Sequence, residues 1–254
     1  MSPSIAVVIP VRNGATFLDE TFASIWAQNY APLEVIVVDD GSTDGTIEKV
    51  RTMQGVPVRL LELDGVGPAA ARNAGIQASG SELVAFLDAD DLWANGALHR
   101  LTKTLMERPD AGISQGLIRN FSEPRPGNRR FITGAYRFFN LGASLWRRSV
   151  FETVGLLDEE LRLCEDLDVT LRCWERDVRK AEVESVVLHY RRHPDSMTHG
   201  LSGAGFGSVK AYKKRIDRIR RGEVDPNLPR HIDLHSYLGT APLNQDGSFH
   251  APVL

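Results

Sequence analysis

Three carboxylates that follow a short apolar run have the spacing that points most directly to chemistry. The segment VAFLDADDLW contains the apolar stretch 84–87 and then Asp88, Asp90 and Asp91. Alternate residues of an extended chain point to the same side, so we expect Asp88 and Asp90 to face together and Asp91 to face away. Two carboxylates on one side suit a hard divalent cation, Mn²⁺ or Mg²⁺. A helix cap with solvated charges is the alternative that this motif alone leaves open.

The first half of the sequence alternates between strand-like and helix-like segments. Such alternation is typical of a parallel, doubly wound sheet, and we therefore predict an α/β fold with helices on both faces. Ligands of these sheets bind beyond the carboxyl ends of the strands. Polar clusters that begin at Arg12, Asp39 and Asp88 follow three of the strands, so we expect them to border one crevice. The predicted strands are 5–11, 33–40, 58–63 and 82–88, and the predicted helices are 17–28, one capped at 42–44 and ending at 50, 67–78 and 97–107.

The second half is less regular, with predicted strands at 112–121 and 181–192 and predicted helices at 147–155 and 165–176. A basic segment follows, in which four apolar residues recur at helical spacing: Val209, Tyr212, Ile216 and Ile219. Such a helix either packs on the domain with a solvated basic face or rests on an anionic membrane. Four prolines after residue 225 predict a tail with little regular structure.

The composition excludes several classes of protein. A formal net charge of −3 is unlike that of a general nucleic-acid binder, and no apolar run approaches the roughly 20 residues of a membrane span. The first apolar stretch has no basic region before it, which predicts a strand and not a signal peptide. Cys164 and Cys173 lack the spacing of a metal finger or a disulfide framework, and they predict two reduced thiols in a cytoplasmic protein.

Four short motifs accompany the predicted strands in order: PVRNG, VVDDGSTDGT, GPAAARNAGI and FLDADD. Together with GLLDEELRLCEDLDVTLR at 155–172 and YRRHPDSM at 190–197, they resemble family 2 of the glycosyltransferases, enzymes with the GT-A nucleotide-diphospho-sugar fold. The resemblance implies a GT-A domain over 1–200, with a nucleotide-sugar half at about 1–110 and an acceptor half at about 111–200. A basic helix and the proline-bearing tail would then occupy 201–254.

The resemblance implies a set of residues that bind the nucleotide base. Pro10, Val11 and Arg12 would border the base. Asp40, with Asp39 beside it, would accept a hydrogen bond from a ring N–H of the base. A carboxylate only accepts hydrogen bonds, so this position favours an imide N–H such as that of uracil. A turn followed by a helix cap is the structural alternative for the acidic pair.

The same resemblance assigns the diphosphate and its cation. Arg72 would help to bind the nucleotide, Asp88 would contact the ribose, and Asp90 would bind Mn²⁺ or Mg²⁺. His193 matches a metal ligand of some relatives, so the predicted metal ligands are Asp90, Asp88 and His193. The cation would stabilise the diphosphate as it leaves the sugar carbon. A solvated helical Arg72 and an ordinary loop histidine are the alternatives.

The pair Glu165-Asp166 matches the Glu-Asp motif in which the aspartate is the catalytic base. Asp166 would accept the proton of the acceptor hydroxyl while the sugar carbon bonds to oxygen. We expect the start of a helix to stabilise this carboxylate as an anion. Cys164 stands where relatives commonly have glycine, and an ordinary acidic first turn is the alternative for the pair.

These assignments predict an inverting, metal-dependent transferase that moves one sugar from a nucleotide-diphospho-sugar, preferably a UDP-sugar, to an acceptor hydroxyl. The expected acceptor is a carbohydrate or lipid-linked molecule in cell-surface polysaccharide, glycolipid or glycoconjugate synthesis. Contact with the inner face of the membrane through 209–221 is a further expectation, and nucleic acid is not an expected partner. The Gln-x-x-Arg-Trp sequence of processive synthases is absent, which favours transfer of one sugar per encounter.

Three other interpretations fit parts of the sequence. A nucleotidyltransferase would carry a glycine-rich basic loop where PVRNGATF stands. A metal-dependent hydrolase of phosphate esters or glycosides would leave Asp39 and Asp40 without a role. The main alternative is a catalytically silent domain of the same fold that binds nucleotide or carbohydrate.

Overall fold

The computed structural model describes residues 2–53, 57–123, 125, 128–194, 196, 206–227 and 229–240. Residues 201–205 and 241–254 of the predicted C-terminal part therefore lie outside the described residues. The strands are β1 Ile5–Val11, β2 Leu33–Asp40, β3 Val58–Leu63, β4 Leu83–Phe86, β5 Leu92–Trp93, β6 Ala111–Ser122, β7 Arg130–Phe131, β8 Ser144–Arg147 and β9 Arg179–Arg191. The helices are α1 Leu18–Trp26, α2 Thr46–Thr52, α3 Pro68–Ala78, α4 Ala97–Glu107, α5 Arg148–Val154, α6 Glu165–Glu175, α7 Phe206–Arg220 and α8 Leu234–Leu238.

One mixed sheet organises the described part of the chain. Its strand order is β3-β2-β1-β4-β8-β6-β9-β5, and β7 pairs with β6. The first four strands of this order are parallel, β8 is antiparallel to both of its neighbours, and β6 is parallel to β9. The mainly parallel sheet with helices packed against it confirms the predicted α/β fold class.

The centre of the sheet is buried on both faces. Along β1, Ile5, Val7 and Ile9 join the core beneath α1 and α4, while Ala6 and Val8 join the core beneath α3 and α5. Side chains of a strand alternate between the two faces, so a continuous apolar run can fill both cores. The polar residues that follow such a strand are thereby held at the carboxyl edge of a rigid layer.

Helix α3 approaches β1 closely because Gly75 has no side chain. A Cβ atom at this position would lie 2.3 Å from Cγ1 of Val8, well inside van der Waals contact. This close approach fixes the position of α3, which carries Arg72 three residues earlier. A short turn at the start of α3, with Gly67 at a φ of 102° and Pro68 in the first helical turn, sets the direction of the helix.

The predicted elements agree with the structure to within about three residues at each end, whereas the sequence does not predict the shortest strands. Strands β5 and β8 have two and four residues, too few for a periodic pattern. The N-cap of α2 is Gly45, just beyond the predicted 42–44, because Ser42 and Thr43 bond to the loop after β1. The tail contains α8, whose Tyr237 is buried against the sheet, so the segment 229–240 is more ordered than its prolines predict.

Within the described residues, no helix is both long enough and apolar enough to cross a bilayer.

We predict that Gly75→Val destabilises the protein by about 3 kcal/mol, because the added side chain must push α3 away from Val8. Gly80→Val is the matched control, since a Cβ atom at Gly80 meets nothing within 4 Å. We expect the control to change the free energy of unfolding by less than about 0.5 kcal/mol. Urea unfolding measures both, and equal effects of the two substitutions would contradict the close packing of α3 on β1.

Candidate functional site

The predicted nucleotide-binding residues lie along one edge of the sheet. Strands β1 and β2 are parallel and in register, with Val11 opposite Asp39. Residues 10–12 therefore lie beside Asp39 and Asp40. Strand β4 is parallel to β1 on its other side, which brings Asp88 to the same edge. The structure thus brings these sequence-predicted residues together along one edge.

The loops after β1 and β2 are bonded to each other. The backbone N–H of Asn13 donates to Oγ of Ser42 at 2.8 Å, and the backbone N–H of Thr43 donates to Oδ1 of Asn13 at 2.8 Å. The backbone N–H of Gly14 donates to Oγ1 of Thr46 at 3.0 Å. These bonds hold the two predicted base-binding segments as one unit.

The two adjacent aspartates at the end of β2 have different partners. The Asp40 carboxylate accepts the backbone N–H groups of Val66 and Gly67, at 2.7 and 2.8 Å, one on each oxygen. Oδ1 of Asp39 accepts two backbone N–H groups from residues 41–42, at 3.1 and 2.9 Å. Oδ2 of Asp39 is buried and has no hydrogen-bond partner among the described residues. The oxygen of this pair that has no partner thus belongs to Asp39, the neighbour of the residue that the resemblance selects.

Arg72 connects the two halves of the crevice. It is only 6% exposed, and its guanidinium donates through Nη2 to Oδ1 of Asp88 at 2.6 Å and through Nη1 to Oε1 of Glu165 at 2.5 Å. Asp88 follows β4, whereas Glu165 begins α6. A buried guanidinium between two carboxylates is compensated on both sides, so this bridge fixes the start of α6 against the nucleotide edge.

Asp166 lies directly beside that bridge. Its Oδ1 accepts the backbone N–H of Leu167 at 2.8 Å. Burial, reinforced by the neighbouring charge of Glu165, raises the pKa of Asp166 to about 7. Burial also raises the pKa of Glu165, while Arg72 opposes that shift. The expected stabilisation of the Asp166 anion by the helix start is therefore outweighed by desolvation and by a like charge.

The predicted metal ligands are only partly assembled. Nε2 of His193 lies 2.9 Å from Oδ2 of Asp90, and the Phe17 ring packs on the imidazole with centroids 4.7 Å apart. Asp88 lies at the same edge but is directed to Arg72. In the described portion of the chain, no group of three or more His, Cys, Asp or Glu side chains is arranged to hold a metal.

The Asp90–His193 pair nevertheless fits a divalent cation. Two neighbouring ligands of an octahedral ion with bonds of about 2.1 Å lie about 3.0 Å apart, close to the spacing of this pair. Carboxylate and neutral imidazole are both suitable donors for Mn²⁺. The half-exposed Asp88, at the same edge, would be the third donor and the second oxygen.

Arg191 is a residue of the site that the sequence did not reveal. Its Nε donates to the backbone oxygen of Asp90 at 2.7 Å, and its backbone N–H donates to Oδ1 of Asp91 at 2.8 Å. Its two Nη atoms donate to Glu123 at 2.9 Å and Glu20 at 2.6 Å. These bonds join the end of β9 to the loop after β4. They thereby place Asp90 against His193, although the two residues are about a hundred positions apart in the sequence.

Asp91 faces away from the crevice, into the protein. Its burial, together with the charges of Asp90 and Asp88, raises its pKa well above the ordinary range. The only sequence signal for the hydrogen bonds of Arg191 is the pair of arginines in YRRHP, and this pair does not indicate where the partners lie.

Buried ion pairs hold helix α6 on the side that faces α7. Asp168 accepts from Nε of Arg172 at 2.8 Å and from Nη1 of Arg218 in α7 at 2.9 Å. Arg218 also donates to both oxygens of Glu175, at 2.9 and 3.1 Å. Together with the Arg72 bridge, these contacts fix both ends of the helix that presents Asp166.

Comparison with known proteins identifies the family and the fold of the chain. The family model described as Glycosyl transferase family 2 matches residues 6–155. The Uncharacterized glycosyltransferase EpsJ of Bacillus subtilis is 26% identical over 225 residues, which is 78% of this chain and 64% of EpsJ. The chain thus spans just under two thirds of the length of that relative.

Two solved structures share the fold. TarS 1-349 of S. aureus in complex with UDP-GlcNAc has a TM-score of 0.65 at 20% identity, over 87% of this chain and 67% of that one. The mannosyltransferase PcManGT from Pyrobaculum calidifontis, in complex with GDP-Man and Mn²⁺, has a TM-score of 0.67 at 23% identity, over 89% and 67% of the two chains. The fold is therefore the GT-A fold of these two proteins.

We predict that Asp166 titrates with a midpoint near pH 7, where an ordinary aspartate titrates near 3.8. Carbon-13 NMR of labelled aspartate carboxyl groups measures this directly, and Asp166→Asn identifies the signal. Glu165→Gln removes the neighbouring negative charge and should lower the midpoint. An Asp166 signal that titrates near pH 4 in the wild-type protein would contradict the burial of this carboxyl group.

Proposed function

Because the chain belongs to glycosyl transferase family 2, we propose that it is an inverting, metal-dependent glycosyltransferase that moves one sugar from a nucleotide-diphospho-sugar to an acceptor hydroxyl. The observation that carries this proposal is the Arg72 bridge from Asp88 to Glu165. It holds a carboxyl group with a pKa of about 7, that of Asp166, beside the edge where the nucleotide-binding segments converge. A general base works best when its pKa is close to the pH at which it operates.

The donor occupies the edge formed by residues 10–12 and the end of β2. The unpartnered Oδ2 of Asp39 accepts the ring N–H of the base. Asp40 has a structural role, because it accepts the two backbone N–H groups that form the turn before α3. A UDP-sugar is our preferred donor. Since TarS and PcManGT were solved with UDP-GlcNAc and GDP-Man, sugars of both nucleotides are donors to test.

Asp90 and His193 would hold the divalent cation, with Asp88 as a third donor once the nucleotide is bound. When bound, Mn²⁺ or Mg²⁺ neutralises the diphosphate leaving group. Arg72 holds Oδ1 of Asp88 at the nucleotide edge, and Arg191 keeps the Asp90 backbone in place for its side chain to meet His193.

The transfer step is a single displacement. The acceptor oxygen attacks the anomeric carbon from the face opposite the diphosphate, and the C–O bond to the diphosphate breaks as the new bond forms. Asp166 takes the hydroxyl proton in the same step, and Glu165, bound by Arg72, orients the start of α6 and raises the pKa of its neighbour. No covalent sugar–enzyme intermediate is needed, so the configuration of the sugar is inverted.

The acceptor is a carbohydrate or a lipid-linked molecule of cell-surface polysaccharide, glycolipid or glycoconjugate synthesis, on the cytoplasmic side of the membrane. The remaining alternative is a catalytically silent domain that binds the donor without turnover. These two functions differ in one measurable respect, which is the release of nucleoside diphosphate from the donor.

We predict that thermal unfolding identifies the donor. At a concentration 100 times its Kd, a ligand stabilises a folded protein by about 2.7 kcal/mol, or about 5 °C or more for a chain of this size. A UDP-sugar with Mn²⁺ should give the largest shift. His193→Ala should remove the part that depends on Mn²⁺, whereas the exposed His235→Ala should not. A shift that is the same with and without Mn²⁺ in the wild-type protein would contradict the metal site.

We predict that Asp166→Asn lowers turnover of that donor by about 10²–10⁴-fold and leaves its thermal shift unchanged. Turnover is the rate of nucleoside diphosphate release, which also reports slow donor hydrolysis when no acceptor is present. The exposed Asp110→Asn is the control. In the wild-type protein the rate should fall about tenfold per pH unit below pH 7, because only deprotonated Asp166 is active. Equal turnover by Asp166→Asn contradicts the mechanism, and donor binding without any turnover favours the silent domain.

A further inference from the structure

Helix α7 packs on the domain through one side only. Ala211 is fully buried on that side, and Arg218 reaches inward to the buried carboxylates of α6. Tyr212 and Ile219, which the sequence pattern places in an apolar stripe, are half-buried at the margins of the contact. The packing of α7 therefore does not use the apolar residues at 209 and 216.

The opposite side of α7 presents a regular stripe to solvent. Val209, Lys213, Ile216 and Arg220 stand at positions i, i+4, i+7 and i+11, the spacing of one helical face. All four are exposed, with Val209 at 61% and Ile216 at 46%. We call these four residues the outer stripe, in which apolar and basic side chains alternate.

Helix α7 is also strongly basic. The sequence of the helix contains six basic residues and one acidic residue, in a chain whose net charge is −3. The inward cations are already compensated, for Lys214 lies 2.6 Å from both Asp158 and Glu160. In the outer stripe, Lys213 has no ion-pair partner among the described residues, and the 76% exposed Arg220 lies 3.8 Å from Asp217.

We propose that the outer stripe of α7 docks on an anionic lipid bilayer, with Val209 and Ile216 entering the interface and Lys213 and Arg220 contacting the headgroups. Apolar side chains interleaved with cations on one helix face suit an interface that offers both hydrocarbon and negative charge. A soluble polyanion would neutralise the cations but leave Val209 and Ile216 in water. The combination of apolar and basic side chains in the outer stripe therefore favours a membrane over a soluble polyanion.

The same helix begins against the proposed catalytic motif. A Cβ atom at Gly207 would lie 3.0 Å from Sγ of Cys164, the residue that precedes Glu165. Because α6 packs on the inward side of α7, docking through the outer stripe would hold the start of α6 about one helix diameter, roughly 10 Å, from the headgroups. That separation suits a lipid-linked acceptor whose hydroxyl projects from the bilayer. This last step rests on the proposed function, whereas the docking itself does not.

Flotation of the whole protein with vesicles tests the docking. Vesicles of phosphatidylcholine with phosphatidylglycerol should carry the protein upward at low salt, and vesicles of phosphatidylcholine alone should not. High salt should release the protein, because it screens the headgroup charge. Each basic residue near such a surface changes partitioning by about fivefold, so Lys213→Glu/Arg220→Glu should weaken it by at least about 25-fold.

A matched pair of double variants separates the outer stripe from a general effect of charge. Lys213→Glu/Ile216→Glu should abolish flotation. Lys103→Glu/Met106→Glu makes the same change at the same i, i+3 spacing on α4, where the two side chains are 75% and 41% exposed, and it should float like the wild-type protein. Val209→Ser/Ile216→Ser is a milder variant that should also weaken flotation, and thermal unfolding checks that every variant is folded.

Three results would overturn the proposal: no flotation of the wild-type protein with anionic vesicles at low salt, equal loss in both double glutamate variants, or equal flotation with neutral vesicles. Asp166→Asn should float normally. Failure of the transferase proposal would therefore appear in turnover and not in flotation.

Discussion

The double contact of Arg72 with Asp88 and Glu165 is the interaction on which the candidate site depends. It joins a carboxylate at the end of a central strand to one at the start of a distant helix, through a guanidinium that is almost fully buried. Removing Arg72 would leave the buried Glu165 carboxylate without its counter-ion, at a cost of about 3–5 kcal/mol. The nucleotide edge therefore has a fixed position relative to α6, the helix that carries the proposed base. The close packing of Gly75 on Val8 contributes because it fixes α3, which carries Arg72.

The crowding of three carboxylates after β4 is resolved by directing each to a different partner. Asp88 meets Arg72, Asp90 meets His193, and Asp91 turns inward to the backbone of Arg191. The partners come from α3 and from the end of β9, so no two of the carboxylates compete for one cation. This division leaves the Asp90–His193 pair with donor atoms of the types and spacing that suit a divalent ion.

The sequence predicted the fold where hydrophobic periodicity is long, as in β1, β2, α4 and β9. It could not predict β8, whose four residues pair with β4 and β6 only because the chain returns to the middle of the sheet. At the site, residue types and motif order indicated which carboxylates converge. They could not show that Asp39 keeps the unpartnered oxygen, since that depends on backbone N–H groups in the turn before α3. The raised pKa of Asp166 also arises from burial, which no local pattern encodes.

The ion pairs between α6 and α7 give a physical meaning to the predicted boundary near residue 200. A shortened protein that stopped at residue 200 would retain every residue proposed to act on the donor. It would lose Arg218, and Asp168 and Glu175 would remain in the interior as negative charges without that counter-ion. Such a truncation should loosen the very helix that carries the proposed base. We therefore expect helix α7 to be an integral part of the folded unit that carries Asp166.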